Sequence, residues 1–69
     1  MEIKSQIKAI VWKIVKKSGD TVKIDDEIIL LESMKMETEI QSAVSGKVER
    51  ILVQDGDAVD MDHPLVLLV

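Results

Sequence analysis

Cysteine is absent from the 69 residues, which excludes a disulfide framework, a thiolate metal site and a Cys nucleophile. Phe and Tyr are absent too, leaving Trp12 as the single aromatic residue, so base-stacking recognition of nucleic acid has no platform. The only histidine is His63, followed by Pro64, the only proline; one imidazole with no second His or Cys builds neither a triad nor a metal site, and a plain turn role is expected for it. Apolar runs are short, as in Ile28 to Leu31. They fall far short of the roughly 20 residues that span a bilayer. The chain opens on Glu2-Ile3-Lys4 without an apolar leader, so the expectation is a cytoplasmic protein with no membrane partner.

Net basic charge is also missing. The formal charge is −4, whereas a nucleic-acid partner calls for a clustered basic surface. The charge is uneven: residues 1–23 hold six Lys against Glu2 and Asp20, a net +4, and residues 24–69 hold three basic against eleven acidic residues, a net −8. A solvated acidic surface over the second part is the plain consequence.

What remains is aliphatic. Hydrophobic residues make up 46% of the chain, almost all Ile, Val, Leu and Met, a mix that favours β-structure. A chain this short buries only about 60% of its unfolded surface, which leaves room for one small domain over residues 1–69 and none for a deep catalytic cleft. The chain also repeats itself at an offset of 37: Gly19-Asp20 matches Gly56-Asp57, Val22 matches Val59, Asp25 matches Asp62, and Ile28-Ile29-Leu30-Leu31 matches Leu65-Val66-Leu67-Leu68. Upstream, Val11 matches Val48 and Ile14 matches Ile51. Two copies are too few for a solenoid, so the halves are expected to complete one core between them.

Gly and Asp supply the left-handed backbone that tight turns require, which divides each half into short strands. Strands are expected near 2–7, 10–16, 22–24, 27–33, 36–41, 46–53, 58–61 and 64–69. Eight short strands joined by hairpins form two small antiparallel sheets packed face to face, or a flattened barrel: an all-β fold. Trp12 is expected in the core or at its edge, where an aromatic ring gains most from burial.

Between the halves lies Leu31-Glu32-Ser33-Met34-Lys35-Met36-Glu37-Thr38-Glu39-Ile40, which reads as the end of one strand, a turn at 34–36 and the start of the next. Exposing two Met side chains at a turn costs about 1–3 kcal/mol each relative to burying them. A tip with only a structural task would use Asn-Gly or Asp-Gly. The amine of Lys35, with an ordinary pKa near 10.4, is neutral in only about one molecule in a few thousand at pH 7. If it reacts with an acyl donor, a partner enzyme must supply the activation. Glu32 and Glu37 flank the tip, where they either help an enzyme recognise the hairpin or keep an edge strand soluble. They are poor candidates for a catalytic pair, having no cleft to tune them.

At these residues the chain resembles the biotinyl/lipoyl attachment domain family, whose biotin branch carries Glu-Ala-Met-Lys-Met and whose lipoyl branch carries Asp-Lys-Ala. Glu32-Ser33-Met34-Lys35-Met36 differs from the biotin form only in Ser33. The resemblance extends through Val11-Trp12-Lys13-Ile14, Gly19-Asp20-x-Val22, Ser45-Gly46-x-Val48 and Gly56-Asp57-x-Val59. The chain departs from the family at Ile7-Lys8-Ala9-Ile10, at Ser42-Ala43, and at Asp25 and Asp62, which stand where Gly is usual. Asp tolerates left-handed geometry well enough to keep those turns.

The resemblance implies a flattened β-barrel of two four-stranded antiparallel sheets related by a pseudo-twofold axis, with the lysine on an exposed hairpin. It further implies a carboxyl carrier with no catalytic residue of its own. Biotin is attached covalently to Lys35 by a biotin protein ligase, with Met34 and Met36 as flanking recognition residues and Glu32 and Glu37 as further recognition candidates. A biotin carboxylase and a carboxyltransferase are then the working partners. The alternatives are a lipoyl carrier bearing lipoate on the same fold, and an unmodified barrel-type interaction module.

Overall fold

The computed structural model describes residues 1–34 and 36–69, and Lys35 lies outside the described residues. The strands are β1 (Glu2–Lys4), β2 (Ala9–Ile14), β3 (Thr21–Val22), β4 (Glu27–Ser33), β5 (Met36–Gln41), β6 (Gly46–Ile51), β7 (Ala58–Val59) and β8 (Pro64–Leu68). They form two four-stranded sheets, ordered β1-β8-β6-β3 and β5-β4-β2-β7, with every pairing antiparallel. The expected all-β architecture of two such sheets is therefore observed.

The connections differ from expectation. Only β4 and β5 are consecutive neighbours in one sheet; every other connection carries the chain to the opposite sheet. The Gly-Asp turns are thus crossings between layers. Gly19 (φ 95°) donates its N–H to the carbonyl of Val48 at 2.8 Å, and Gly56 (φ 91°) donates to Val11 at 2.7 Å. Each half thereby sends β1 and β3, or β5 and β7, to flank the long strands of the other half.

The 37-residue repeat is a repeat of hydrogen bonds. Asp20 Oδ2 accepts from the backbone of Lys17 at 2.9 Å, and Asp57 Oδ2 accepts from Gln54 at 2.8 Å. Asp25 and Asp62 have φ of 72° and 68°, the left-handed backbone expected of them, and donate to the carbonyls of Ser42 and Ser5. Ser5 and Ser42, also 37 apart, are both buried; each hydroxyl donates to the carbonyl two residues on, Ile7 or Val44. This serine turn ends β1 at Lys4, short of the expected 7, by folding the backbone back on its own side chain.

Bulges decide which side chains face inward. On β4 and β8 the extra residues are Ile28 and Leu65, so Ile28-Ile29 and Leu65-Val66 are all fully buried in the core between the sheets. On β2 and β6 the register skips Trp12 and Glu49, and the neighbouring Lys13 and Arg50 join them on the solvent side. Trp12, on the outward face with Ile10 two residues before it, is 50% exposed and does not pack against the core, which overturns its expected place in the core or at its edge. The core consists of aliphatic side chains such as Val11, Val22, Ile29, Leu31, Val48 and Leu65.

The pseudo-twofold also relates the middle of the chain to its two ends. Glu32, at the close of β4, corresponds to Val69, and Glu39 on β5 corresponds to Glu2 on β1. Where β4 and β5 are joined through the chain, β8 and β1 are held by a hydrogen bond from the Met1 amino group to the Leu68 carbonyl, 2.7 Å long.

Candidate functional site

The β4–β5 ladder runs from Glu27↔Gln41 to Ser33↔Met36, the last pair before the tip. Its base is fixed by Ile29 and Leu31, both fully buried, and by Ile40 opposite Ile29. A β-strand alternates its faces, so anchoring these side chains inward sets the orientation of everything up to Ser33. Beyond that pair, Met34 is 100% exposed and Met36 67% exposed. The two thioethers are therefore displayed to solvent on a hairpin whose stem is held by the core.

Glu32 and Glu37 sit directly opposite each other across β4 and β5, both exposed. Like charges so placed are destabilising by about 0.2–1 kcal/mol relative to a neutral pair. Thr38 pairs with Leu31, and Glu39 lies one step further along the outer face beside Leu30. Among the described residues, the one salt bridge is Lys4 to Glu2 at 3.8 Å, on the other sheet. An open groove of about 670 Å³ lies next to the tip, between Lys8 and Ile10 of the β2 end, Ser33 and Met34, and Asp60 after β7.

The structure places Glu32, Met34, Met36 and Glu37 at one end of the hairpin; the remaining expected site residue, Lys35, lies outside the described residues. His63 is exposed in the turn before β8, where its carbonyl accepts from Ser5 at 2.9 Å and its N–H donates to Asp60 at 3.1 Å. This is the turn role expected of it. Among the described residues no group of three His, Asp or Glu side chains is placed to hold a metal ion. Among the described residues no helix is long and apolar enough to cross a membrane. Sequence reasoning passed over the outer face of β2, where Ile10 is 52% exposed beside the exposed Trp12. The signal for it is the repeat itself, which aligns these apolar residues with Lys47 and Glu49.

Residues 1–68 match the family model described as "Biotin-requiring enzyme", a family of biotin and lipoyl domains. Among solved structures, the chain is similar to part of the urea carboxylase of Kluyveromyces lactis, at 33% identity and a TM-score of 0.94 over 100% of this chain and 6% of that one. A single-chain, multi-domain long-chain acyl-CoA carboxylase has the same fold over 99% of this chain and 7% of its own, at 22% identity and a TM-score of 0.91. The lipoyl domain of the 2-oxoglutarate dehydrogenase complex from Azotobacter vinelandii is similar over 100% of this chain and 95% of that one, at 27% identity and a TM-score of 0.84. The chain thus spans only a small fraction of the two carboxylases.

Proposed function

The chain belongs to the biotin and lipoyl attachment family, and from that premise we propose that residues 1–69 are the biotin carrier domain of a biotin-dependent carboxylase system, with Lys35 as the attachment residue. The observation that carries this reading is the pair Met34 and Met36, flanking position 35 and exposed at the end of a core-anchored hairpin. A group that must visit two active sites needs an attachment point that projects from a rigid body. The hairpin has that form, and its flanking residues spell the biotin variant of the motif.

Attachment joins the ε-amine of Lys35 to the carboxyl carbon of biotin, which a ligase has first activated; an amide C–N bond forms, the activating group leaves and a proton is lost. The formal charge moves from −4 to −5. Once bound, biotin supplies a ureido nitrogen that accepts and releases a carboxyl group, so the protein needs no acid or base of its own. The domain's residues tether and present. Tethering lets the second encounter proceed at an effective concentration that reaches roughly millimolar for a short flexible link. The partners in this reading are a biotin protein ligase, a biotin carboxylase and a carboxyltransferase, with the cytoplasm as the setting.

Similarity to a lipoyl domain over nearly its whole length keeps lipoate at the same residue as the second reading. Intact-mass analysis of the protein from its own cell separates the two, because the acyl groups differ in mass. Biotin on the wild type and no modification of Lys35→Arg is the expected result, since a guanidinium stays protonated and is not acylated. A lipoyl mass, or biotin retained in the variant, would overturn the proposal.

A further inference from the structure

The pseudo-twofold provides an internal control for reading the surface, because each position on the outside of one sheet has an equivalent on the other. On the sheet β1-β8-β6-β3, the outward positions of β6 hold Lys47, Glu49 and Arg50, and Thr21 stands beside them on β3. The equivalents on β5-β4-β2-β7 are Ile10, Trp12, Lys13 and Ala58. The fold evidently accepts charge at these positions, since its other half has it. Ile10 and Trp12 are nevertheless apolar and half exposed. A large aromatic and a branched aliphatic side by side on an open sheet face carry a hydrophobic cost that the fold does not impose.

A second feature of the same face is electrostatic. Ile10 is the register neighbour of Glu32, which is opposite Glu37; Leu30, next along, is opposite Glu39. Three carboxylates therefore border the apolar strip on one side, two of them in direct like-charge opposition, and among the described residues none has a salt bridge. The face runs without interruption into the tip with Met34 and Met36. An apolar centre bordered by carboxylates on the β4 and β5 side, with Lys13 beside Trp12 and Lys8 beside Ile10, is the form of a docking surface, and the acidic border calls for cationic groups facing it on the partner.

We infer that the outer face of the β5-β4-β2-β7 sheet, centred on Ile10 and Trp12 and rimmed by Glu32, Glu37 and Glu39, docks the domain on the biotin carboxylase. This rests on the carrier function proposed above. An enzyme that binds the anions ATP and bicarbonate needs positive charge around its site, so the acidic β4–β5 border next to the tip is attracted to the mouth of that site. The apolar strip then fixes the angle at which the tip enters. The charged outer face of the other sheet points away and takes no part.

Trp12 is the only tryptophan, so its indole N–H gives one cross-peak in a ¹⁵N-labelled sample of the 69-residue protein. Adding unlabelled biotin carboxylase from the source organism to the unmodified domain should shift or broaden this peak, less so for Ile10→Lys and at high salt. In steady-state carboxylation of the biotinylated domain, Ile10→Lys with Trp12→Glu should raise KM by about tenfold or more with kcat little changed, as expected for loss of central interface contacts. These substitutions copy the residues that the other sheet already holds in the same register, and Glu49→Lys with Arg50→Glu on that sheet should leave KM unchanged. Unchanged KM for the Ile10/Trp12 variant, or no response of the indole to the carboxylase, overturns the inference. So does a response to the biotin ligase alone, or a concentration-dependent shift of the free domain, which would assign the face to the ligase or to a second copy. The mass measurement above separates failure here from failure of the biotin reading, and the indole titration needs no biotin.

Discussion

Replacing Ser5 or Ser42 by Ala removes a hydroxyl and leaves shape almost unchanged, which makes the two serines a clean test of whether the pseudo-twofold is energetic as well as geometric. Each side chain is 1% exposed. Ser5 Oγ donates to the Ile7 carbonyl at 2.6 Å and accepts from the Ile7 N–H at 3.4 Å; Ser42 makes the same pair of bonds to Val44. In the alanine variant a partly buried carbonyl loses its donor, at a cost of about 1–3 kcal/mol. At roughly 0.05–0.15 kcal/mol per residue, 69 residues give a total stability of only about 3–10 kcal/mol. Either single variant should therefore melt roughly 4–24 °C below wild type, taking about 4–8 °C per kcal/mol for a domain of this size. The two should lose similar amounts, and the double variant more than either. Thermal melting followed by far-UV circular dichroism measures this directly. A variant melting within about 2 °C of wild type would refute the reasoning, and so would a large loss from one serine with none from the other.

Expressed separately, residues 1–34 and 36–69 should be disordered or aggregated, because β6 and β8 of the second half are the sheet partners of β1 and β3 of the first; a dispersed NMR spectrum from either fragment would contradict a shared core. Met34→Asp with Met36→Ala should make the domain a substrate for a lipoate ligase and slow its biotinylation, with little change in melting temperature because both side chains are exposed; mass against time with each ligase checks it. Asp25→Gly should change stability by less than about 0.5 kcal/mol, since relief of a left-handed φ of 72° offsets the greater backbone freedom of unfolded Gly, whereas Asp25→Val should cost about 1–2 kcal/mol in urea unfolding.

Strand positions and the internal repeat were readable because tight left-handed backbone restricts residue choice: Gly19, Gly56, Asp25 and Asp62 mark the turns in sequence as they do in space. The tip was readable for the opposite reason, since Met34 and Met36 are costly where they stand. Topology was less accessible. A Gly-Asp turn looks the same whether it closes a hairpin or carries the chain to the other sheet, and here it does the latter. Trp12 was misplaced because Ala9-Ile10-Val11-Trp12-Lys13-Ile14 carries apolar residues on both alternations; the core takes Ala9 and Val11, which leaves Ile10 and the indole outside, and the bulge against Leu30 then returns Ile14 toward the core. Ser5 and Ser42 carried a legible signal in their spacing of 37, but a buried serine is conspicuous only when its hydrogen bonds are seen.

The bond from Met1 to Leu68 has a mechanical consequence. A twofold operation sets corresponding features on opposite sides of its axis, and the counterpart of the β4–β5 tip is the seam where β1 meets β8. Any polypeptide joined at residue 1 or 69 would thus leave from the side of the axis opposite the β4–β5 hairpin, in a body whose longest dimension is 31 Å. Anchored there, the barrel would act as a lever arm: a rotation at the pivot displaces the hairpin by an amount that grows with its distance from the pivot.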